Sequence, residues 1–179
     1  MRAISVDSLT LEPQTVKHAD EMFVVLGDPA IYEYENQPPS SVEWLRTRFE
    51  KLESRRSADG TEQWLNWVIR LAGAGLIGYV QATVRADGSA AIAYELSSAY
   101  WGRGLARRAI DAMLGELVAR YRITTFVAVA KQENFRSIRL LKRLGFTPAD
   151  SERHTMSEIE PDEILVVRDV PRPQAAHAP

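Results

Sequence analysis

Residues 94–106 read YELSSAYWGRGLA and lead from an extended segment into a long helix. The six residues AIAYEL at 91–96 are rich in branched and aromatic side chains, which is typical of a strand. From Gly104 to Tyr121, apolar residues recur at helical spacing. A strand that enters a helix through Gly102 and Gly104 predicts a β–turn–α unit, so the chain is expected to combine sheet and helix.

The sequence before this unit predicts antiparallel strands and two helices. The predicted strands are Ser8–Glu12, on an edge of the sheet, and then Trp64–Leu71, Leu76–Val84 and the strand ending at Leu96. The predicted helices run from Thr15 to Leu26 and from Ser40 or Ser41 to Leu52, with Ala30–Pro39 as the loop between them. Short turns between the last three strands predict an antiparallel meander.

The sequence after the long helix predicts one more strand–helix unit and a final strand pair. Thr125–Ala130 is a nearly all-apolar strand, and Asn134–Leu144 is a helix that Gly145 ends. Phe135, Ile138, Leu141 and Leu144 are the predicted inward positions of that helix. The last strands begin at Phe146 and at Glu163, so residues 1–170 are expected to form one domain with a mixed sheet and helices on both faces. Residues 171–179, with three prolines, are expected to form a disordered tail.

Composition narrows the function. The 179 residues are 45% apolar and 26% charged, as in soluble globular proteins. A net charge of −2 gives no basic footprint, so nucleic acid is not an expected partner. No run of about 18 apolar residues and no leader pattern occurs, so we expect a cytoplasmic protein without a membrane partner.

Cysteine and histidine counts limit the chemistry. The absence of cysteine excludes disulfides, thiolate metal sites and catalysis by an enzyme thiol. The three histidines are scattered without metal-ligand spacing, so no metal site is expected.

The two glycines of the 94–106 stretch predict a phosphate cradle. Glycine lets consecutive backbone N–H groups face one point, and the N-terminus of the following helix adds partial positive charge. Arg103, Arg107 and Arg108 would add charge around a pyrophosphate. No Gly-Lys-Ser/Thr follows, and arginine stands where a dinucleotide fingerprint has its third glycine, so kinases and dehydrogenases are disfavoured.

Two segments together carry a family resemblance. YELSSAYWGRGLARRA, followed about thirty residues on by NFRSIRLLKRLGF, resembles the two signature segments of the GNAT acetyltransferases. More narrowly, the pair resembles the subgroup of ribosomal-protein N-terminal (alanine) acetyltransferases, over residues 8 to 170. The resemblance implies an α+β GNAT fold, with a central, mostly antiparallel twisted sheet of about seven strands flanked by about four helices.

The resemblance also implies acetyl-coenzyme A as co-substrate and assigns its binding residues. The family's Gln/Arg-x-x-Gly-x-Gly/Ala positions fall on Trp101, Gly104 and Ala106, where the tryptophan departs from the general pattern. The Leu96 N–H would hold the thioester oxygen. Asn134 would bond the pantetheine or cap its helix. The implied coenzyme-binding residues are Leu96, Trp101, Gly102, Arg103, Gly104, Leu105, Ala106, Arg107 and Asn134.

Acyl transfer to an amine needs a base and a proton donor for the departing thiolate. Glu95 is the first candidate for the base, with an outward-facing strand carboxylate as the alternative. Ser137 is the candidate donor because it matches the subgroup's Asn-x-x-Ser pattern, although a helix-start serine that bonds the backbone is the competing interpretation. The tyrosine that many GNAT enzymes place four residues further on is replaced by Leu141.

The amine that accepts the acetyl group is the part of the function that the sequence determines least. Glu33 and Glu35, in the loop between the first two helices, are candidate substrate-binding residues or alternative bases. With Glu158, Glu160 and Asp162 they suggest an acidic rim suited to cationic amines. The sequence therefore predicts an N-acetyltransferase that acts in a ternary complex on a peptide N-terminus or a small amine, as a monomer or homodimer. A non-catalytic acyl-coenzyme A sensor is the alternative.

Overall fold

The computed structural model describes residues 1–34, 37–150 and 159–171. The strands are β1 (Ile4–Val6), β2 (Leu9–Pro13), β3 (Gln63–Leu71), β4 (Gly75–Val84), β5 (Ser89–Leu96), β6 (Thr125–Lys131), β7 (Thr147–Pro148) and β8 (Glu163–Asp169). They form one sheet in the order β1-β2-β3-β4-β5-β6-β8-β7. All neighbours are antiparallel except β5 and β6, which are parallel.

The helices are α1 (Ala19–Val25), α2 (Val42–Leu52), α3 (Leu105–Tyr121) and α4 (Phe135–Arg143). Two of them begin where the sequence places a capping residue. The Ser41 side chain accepts a hydrogen bond from the Trp44 N–H, and the Asn134 side chain accepts one from the Ser137 N–H. Within the described residues, no helix is long and apolar enough to cross a membrane.

The sheet separates two hydrophobic clusters. Leu45 and Phe49 of α2 pack with Met22 of α1 on one face. On the other face, α3 packs through Ile110 and Met113 against the inward side chains of the strands. The predicted arrangement of helices on both faces of a mixed, mostly antiparallel sheet is confirmed, and so is the order of the predicted elements.

Two details differ from the sequence prediction. The strand at Leu9 was expected on an edge, but β1 precedes it through a tight turn in which Asp7 has φ 50°, and β1 forms the edge instead. Three residues are too few to show an alternating pattern, so hydrophobic periodicity does not predict β1. Phe135 was expected to face inward but is 63% exposed, because it is the first residue of α4 and lies beyond the sheet contact that buries Leu141.

Candidate active site

Strands β5 and β6 separate partway along their length. They pair only at Ser89–Ala91 with Thr125–Val127, after which β5 continues to Leu96 without pairing to β6. A cleft of about 940 Å³ opens there and extends to both faces of the sheet. Ala128 and Ala130 of β6 line it with small side chains, which leave room for a narrow chain between the strands.

The backbone of β5 turns polar groups into this gap. Ser97 N–H donates to the Ile77 carbonyl at 2.9 Å and Arg85 N–H to the Ser89 carbonyl at 2.9 Å, so the odd-numbered residues of β5 form its hydrogen-bonded pairs with β4. Because pairing alternates in an antiparallel ladder, the N–H and C=O of Leu96 point away from β4, toward the gap. Its carbonyl accepts a hydrogen bond from Trp101 Nε1 at 2.7 Å. The Leu96 N–H therefore faces the space that a thioester would enter.

The loop after β5 forms an open cradle at one end of the cleft. Gly102 and Gly104 have φ of 73° and 71°, and a Cβ at either would meet no atom within 4 Å. The first hydrogen bond of α3 runs from Arg108 N–H to the Gly104 carbonyl, so the N–H groups of residues 105–107 precede the helical ladder. Glycine backbone and a helix N-terminus facing open space fit a pyrophosphate.

The three arginines that were predicted to surround the cradle point to three different places. Arg107 lines the cleft. Arg108 is directed toward β1, where it pairs with Asp7 at 3.1 Å. Arg103 does not line the cleft, and its guanidinium lies 5.5 Å from the centre of the Tyr100 ring. Successive residues of a helix start point in different directions, so sequence proximity did not bring all three charges to one point.

The remaining predicted coenzyme residues line the cleft: Leu96, Trp101, Gly102, Gly104, Leu105, Ala106 and Asn134. The Asn134 side-chain oxygen caps α4 by accepting the Ser137 N–H at 3.0 Å. The cap uses only the side-chain oxygen of Asn134. The amide nitrogen of this cleft-lining residue remains available as a hydrogen-bond donor.

Glu95 lines the cleft on the face of the sheet opposite Leu96. It lies across from Tyr79 in the β4–β5 register, beneath α1 and α2. Burial raises the pKa of Tyr32 to about 12, and the charges of Glu95 and Asp28 contribute to the shift. The Glu95 carboxylate thus lies on the side of the cleft that Tyr32 and its loop cover.

Ser137 is joined to a residue that sequence reasoning did not select. Its Oγ lies 2.8 Å from the hydroxyl of Tyr94, a hydrogen bond in which either group can donate. Burial raises the pKa of Tyr94 to about 12. Strand alternation already placed Tyr94 on the face of Leu96, opposite Glu95, and this was the available signal. Leu141, at the position where the resemblance leads one to expect a tyrosine, is buried.

Asp28 is a second residue that the sequence did not single out. Its carboxylate accepts hydrogen bonds from the N–H of Ser98 at 2.7 Å and of Ala30 at 3.1 Å. Burial alone would raise the pKa of Asp28, but the hydrogen bonds, those from Ser98 above all, outweigh it and lower the pKa. Asp28 therefore fastens the loop after α1 to the end of β5.

The predicted acceptor carboxylates are not assembled as expected. Glu33 does not line the cleft and pairs with Arg136 at 3.3 Å. The Arg136 guanidinium also stacks on Trp101, 3.5 Å from the ring centre. Glu35 and Glu158 lie outside the described residues. These contacts link the loop after α1, helix α4 and the loop after β5 across the mouth of the cleft.

The described residues that line the cleft are mainly basic, whereas the sequence predicted an acidic rim. Among the described residues that line it, Glu95 is the one acidic side chain, whereas five are arginines: Arg48, Arg107, Arg136, Arg139 and Arg143. Asp162 pairs with Lys131 at 2.9 Å, away from this lining. Of the acidic positions that the structure describes, Glu33 and Asp162 form local ion pairs, and Glu160 does not line the cleft.

The fold is that of known acetyltransferases. RimL, the ribosomal L7/L12 alpha-N-protein acetyltransferase, in complex with coenzyme A, superimposes with a TM-score of 0.78 at 16% identity, over 94% of this chain and 98% of that one. The ribosomal-protein-S5-alanine acetyltransferase of Vibrio fischeri superimposes with a TM-score of 0.76 at 17% identity, over 93% of this chain and 96% of that one. The microcin C7 self-immunity acetyltransferase MccE, in complex with acetyl-CoA and AMP, superimposes with a TM-score of 0.76 at 19% identity. The superposition covers 92% of this chain and 94% of that one.

The sequence itself matches a family model. Residues 8–147 match the model described as the acetyltransferase (GNAT) domain, and this range covers both signature segments. The resemblance stated from those segments is confirmed, as is the implied fold, with eight strands in place of about seven. The chain belongs to the GNAT acetyltransferase family.

Proposed function

We propose that this protein transfers the acetyl group of acetyl-coenzyme A to a primary amine by direct attack in a ternary complex. The observation that carries the proposal is the opening between β5 and β6, which joins a phosphate cradle on one side to Glu95 on the other. A thioester held in the gap by the Leu96 N–H would lie between the two compartments. The amine and the coenzyme would then approach from opposite faces of the sheet.

The chain's own groups supply the coenzyme site. The N–H groups of residues 102–107 would hold the pyrophosphate, and the gap-facing backbone of β5 would bond the pantetheine arm as a missing strand would. Asn134 and Arg107 line the same path. Coenzyme A supplies an activated acyl group and a thiol leaving group.

Three proton and charge roles follow from the reaction. Glu95 accepts the proton of the incoming ammonium, directly or through water, so that the nitrogen lone pair is available. The Leu96 N–H stabilises the negative charge that develops on the thioester oxygen. Ser137, hydrogen-bonded to Tyr94, donates toward the departing sulfur. Since a thiol has a pKa near 8.5, the last role needs little acid strength.

The acceptor is a peptide N-terminus or a small molecule. RimL and the alanine acetyltransferase are named for protein acceptors, and MccE for self-immunity to a microcin. These names support an amine acceptor of either size for this chain.

The decisive experiment is a thiol-release assay with acetyl-coenzyme A across a panel of peptides and small amines. We expect turnover with at least one acceptor, and a Glu95→Gln enzyme slower by about 100-fold or more, within the usual range of general-base effects. Glu43→Gln is the matched control, because Glu43 is exposed on α2 and does not line the cleft.

Mass spectrometry of the enzyme mixed with acetyl-coenzyme A alone tests direct attack. We expect no covalent acetyl adduct on a cleft residue; a kinetically competent adduct would replace the ternary mechanism with a two-step one. Tight binding of acetyl-coenzyme A without turnover of any acceptor would instead assign the chain to a sensor role.

A further inference from the structure

A second, smaller cavity adjoins the acceptor side of the cleft. It measures about 230 Å³ and lies between α2 and the strands β3 and β4. Its lining includes Arg48, Lys51, Asn66 and Gln81. Arg48, Leu52 and Gln81 also line the main cleft, so the two spaces adjoin at these side chains.

Three amide side chains line this region. Asn66 is only 4% exposed, yet its side-chain amide makes no hydrogen bond within the described part of the chain. The amide of Gln81, on the neighbouring strand, makes none there either. Gln14, 3% exposed, lines the adjoining cleft with its Nε2 unpartnered by any described residue. Gln14 Nε2 is thus a buried amide group without a described partner, which is rare and costly, and Asn66 and Gln81 line the cavity beside it, so this region suits a polar ligand.

The charge of the cavity selects the kind of ligand. Among the described residues, Arg48 and Lys51 form no ion pair, and none of the residues that line the cavity is acidic. Arg46, on the same helix, is by contrast paired with Asp20. Unpaired cations beside amide donors favour an anionic oxygen group.

The sheet register fixes how far this group lies from the reacting nitrogen. Gln81 lies opposite Ala93 on β5, so Glu95 is its diagonal neighbour, and Asn66 lies directly opposite Gln81 on β3. A diagonal step is about 7–8 Å and a direct one about 5 Å, which places Asn66 about 12 Å from Glu95 along one face of the sheet. The acceptor compartment thus has one acidic end and one basic end.

We propose that the acceptor is an amine that carries a carboxylate or phosphate about 8–12 Å from its nitrogen. Arg48, Asn66 and Gln81 bind the anionic group while the amine lies at Glu95. The inference rests on the proposed acetyl transfer and adds the substrate class. It reverses the cationic acceptor expected from the acidic residues of the sequence.

The test compares acceptors that differ only at the distal group. Extended trialanine spans about 10 Å, and its amidated form removes the carboxylate. Aminohexyl phosphate and aminohexanol form the corresponding pair for phosphate. We expect kcat/KM to be about tenfold or more higher for the anionic member of at least one pair, mainly through KM, as a hydrogen-bonded charge requires.

Variants of α2 separate this subsite from general effects. Arg48→Gln is expected to remove most of the preference and Arg48→Glu to reverse it, measured as the ratio of kcat/KM for the anionic and neutral members of one pair. Arg46→Gln is the control, because it removes a cation from the same helix outside either cavity.

The outcomes distinguish the two proposals. Turnover with equal kcat/KM for anionic and neutral acceptors, or a preference that Arg48→Gln leaves intact, overturns the subsite while acetyl transfer stands. If no acceptor turns over, acetyl transfer fails, and calorimetric titration of the protein–coenzyme A complex with trialanine and its amide still decides the subsite. Equal or undetectable binding of both then overturns it.

Discussion

The hydroxyl groups of Tyr94 and Ser137 lie 2.8 Å apart, joining strand β5 to helix α4 across the cleft. Ser137 was open to two interpretations, a proton donor or a serine that bonds the backbone at a helix start. Its hydroxyl instead pairs with a phenol whose pKa burial raises to about 12. Tyr94 therefore remains protonated at neutral pH and can donate to Ser137.

This pair predicts a modest, shared kinetic effect. Tyr94→Phe and Ser137→Ala should each lower kcat by about 3- to 30-fold, below the usual effect of a general acid because the thiol leaves readily. The double variant should be little slower than the slower single one, since both substitutions break one hydrogen bond. Steady-state kinetics with a good acceptor measures all three.

Tyr121→Phe is the control for the pair, because Tyr121 belongs to α3 and does not line the cleft. Full additivity of Tyr94→Phe and Ser137→Ala would mean that the two hydroxyls act independently, contrary to the coupling stated above.

The raised pKa of Tyr94 also predicts an alkaline loss of stability. Below pH 10 the phenol is neutral in both the folded and the unfolded chain, so it adds no pH dependence there. Between pH 10 and pH 12 the unfolded chain loses the proton first, and folding should lose up to about 2–3 kcal/mol. Urea unfolding of the wild type and of Tyr94→Phe across this range measures the difference, which would be absent if the phenol titrated normally.

Substitution of Gly104 should weaken coenzyme A binding more than it destabilises the fold. Gly104 and Gly60 both have positive φ, of 71° and 74°, and a Cβ at either meets no atom. Alanine at either position should cost about 1 kcal/mol of stability through backbone strain. Gly104→Ala alone should raise the Kd of coenzyme A, by about tenfold or more, because its methyl group enters the phosphate cradle. Calorimetry that gives equal Kd values for the two variants would rule the cradle out.

Gly78 holds β4 and β5 in close contact. A Cβ there would lie 2.1 Å from the Glu95 carbonyl oxygen and 2.9 Å from the Leu96 Cα. Gly78→Ala should therefore destabilise the protein by at least about 2 kcal/mol and displace the backbone that faces the gap. Gly115→Ala, in α3, has open space and should stabilise it by about 0.5–1 kcal/mol. Chemical denaturation compares the two, and similar stabilities would contradict the close contact.

Local patterns were sufficient for the elements of the fold. The apolar repeat of α3, the capping residues Ser41 and Asn134, and the glycines of the cradle act over a few residues, so a linear reading captures them. The edge strand β1 and the exposure of Phe135 escaped because each depends on which neighbours the segment meets. The same limit applied to Arg108, which pairs with Asp7 about a hundred residues away instead of with the cradle.

The sequence by itself therefore determined the strand–helix order, the glycine cradle and the family, since these depend on periodicity and on short motifs. Only the tertiary structure decided where β5 leaves β6, that Tyr94 meets Ser137, and that Arg48 shares a cavity with Asn66 and Gln81. These contacts join residues far apart in the chain. They are set by strand register and by the packing of helices on the sheet, and no local pattern encodes either.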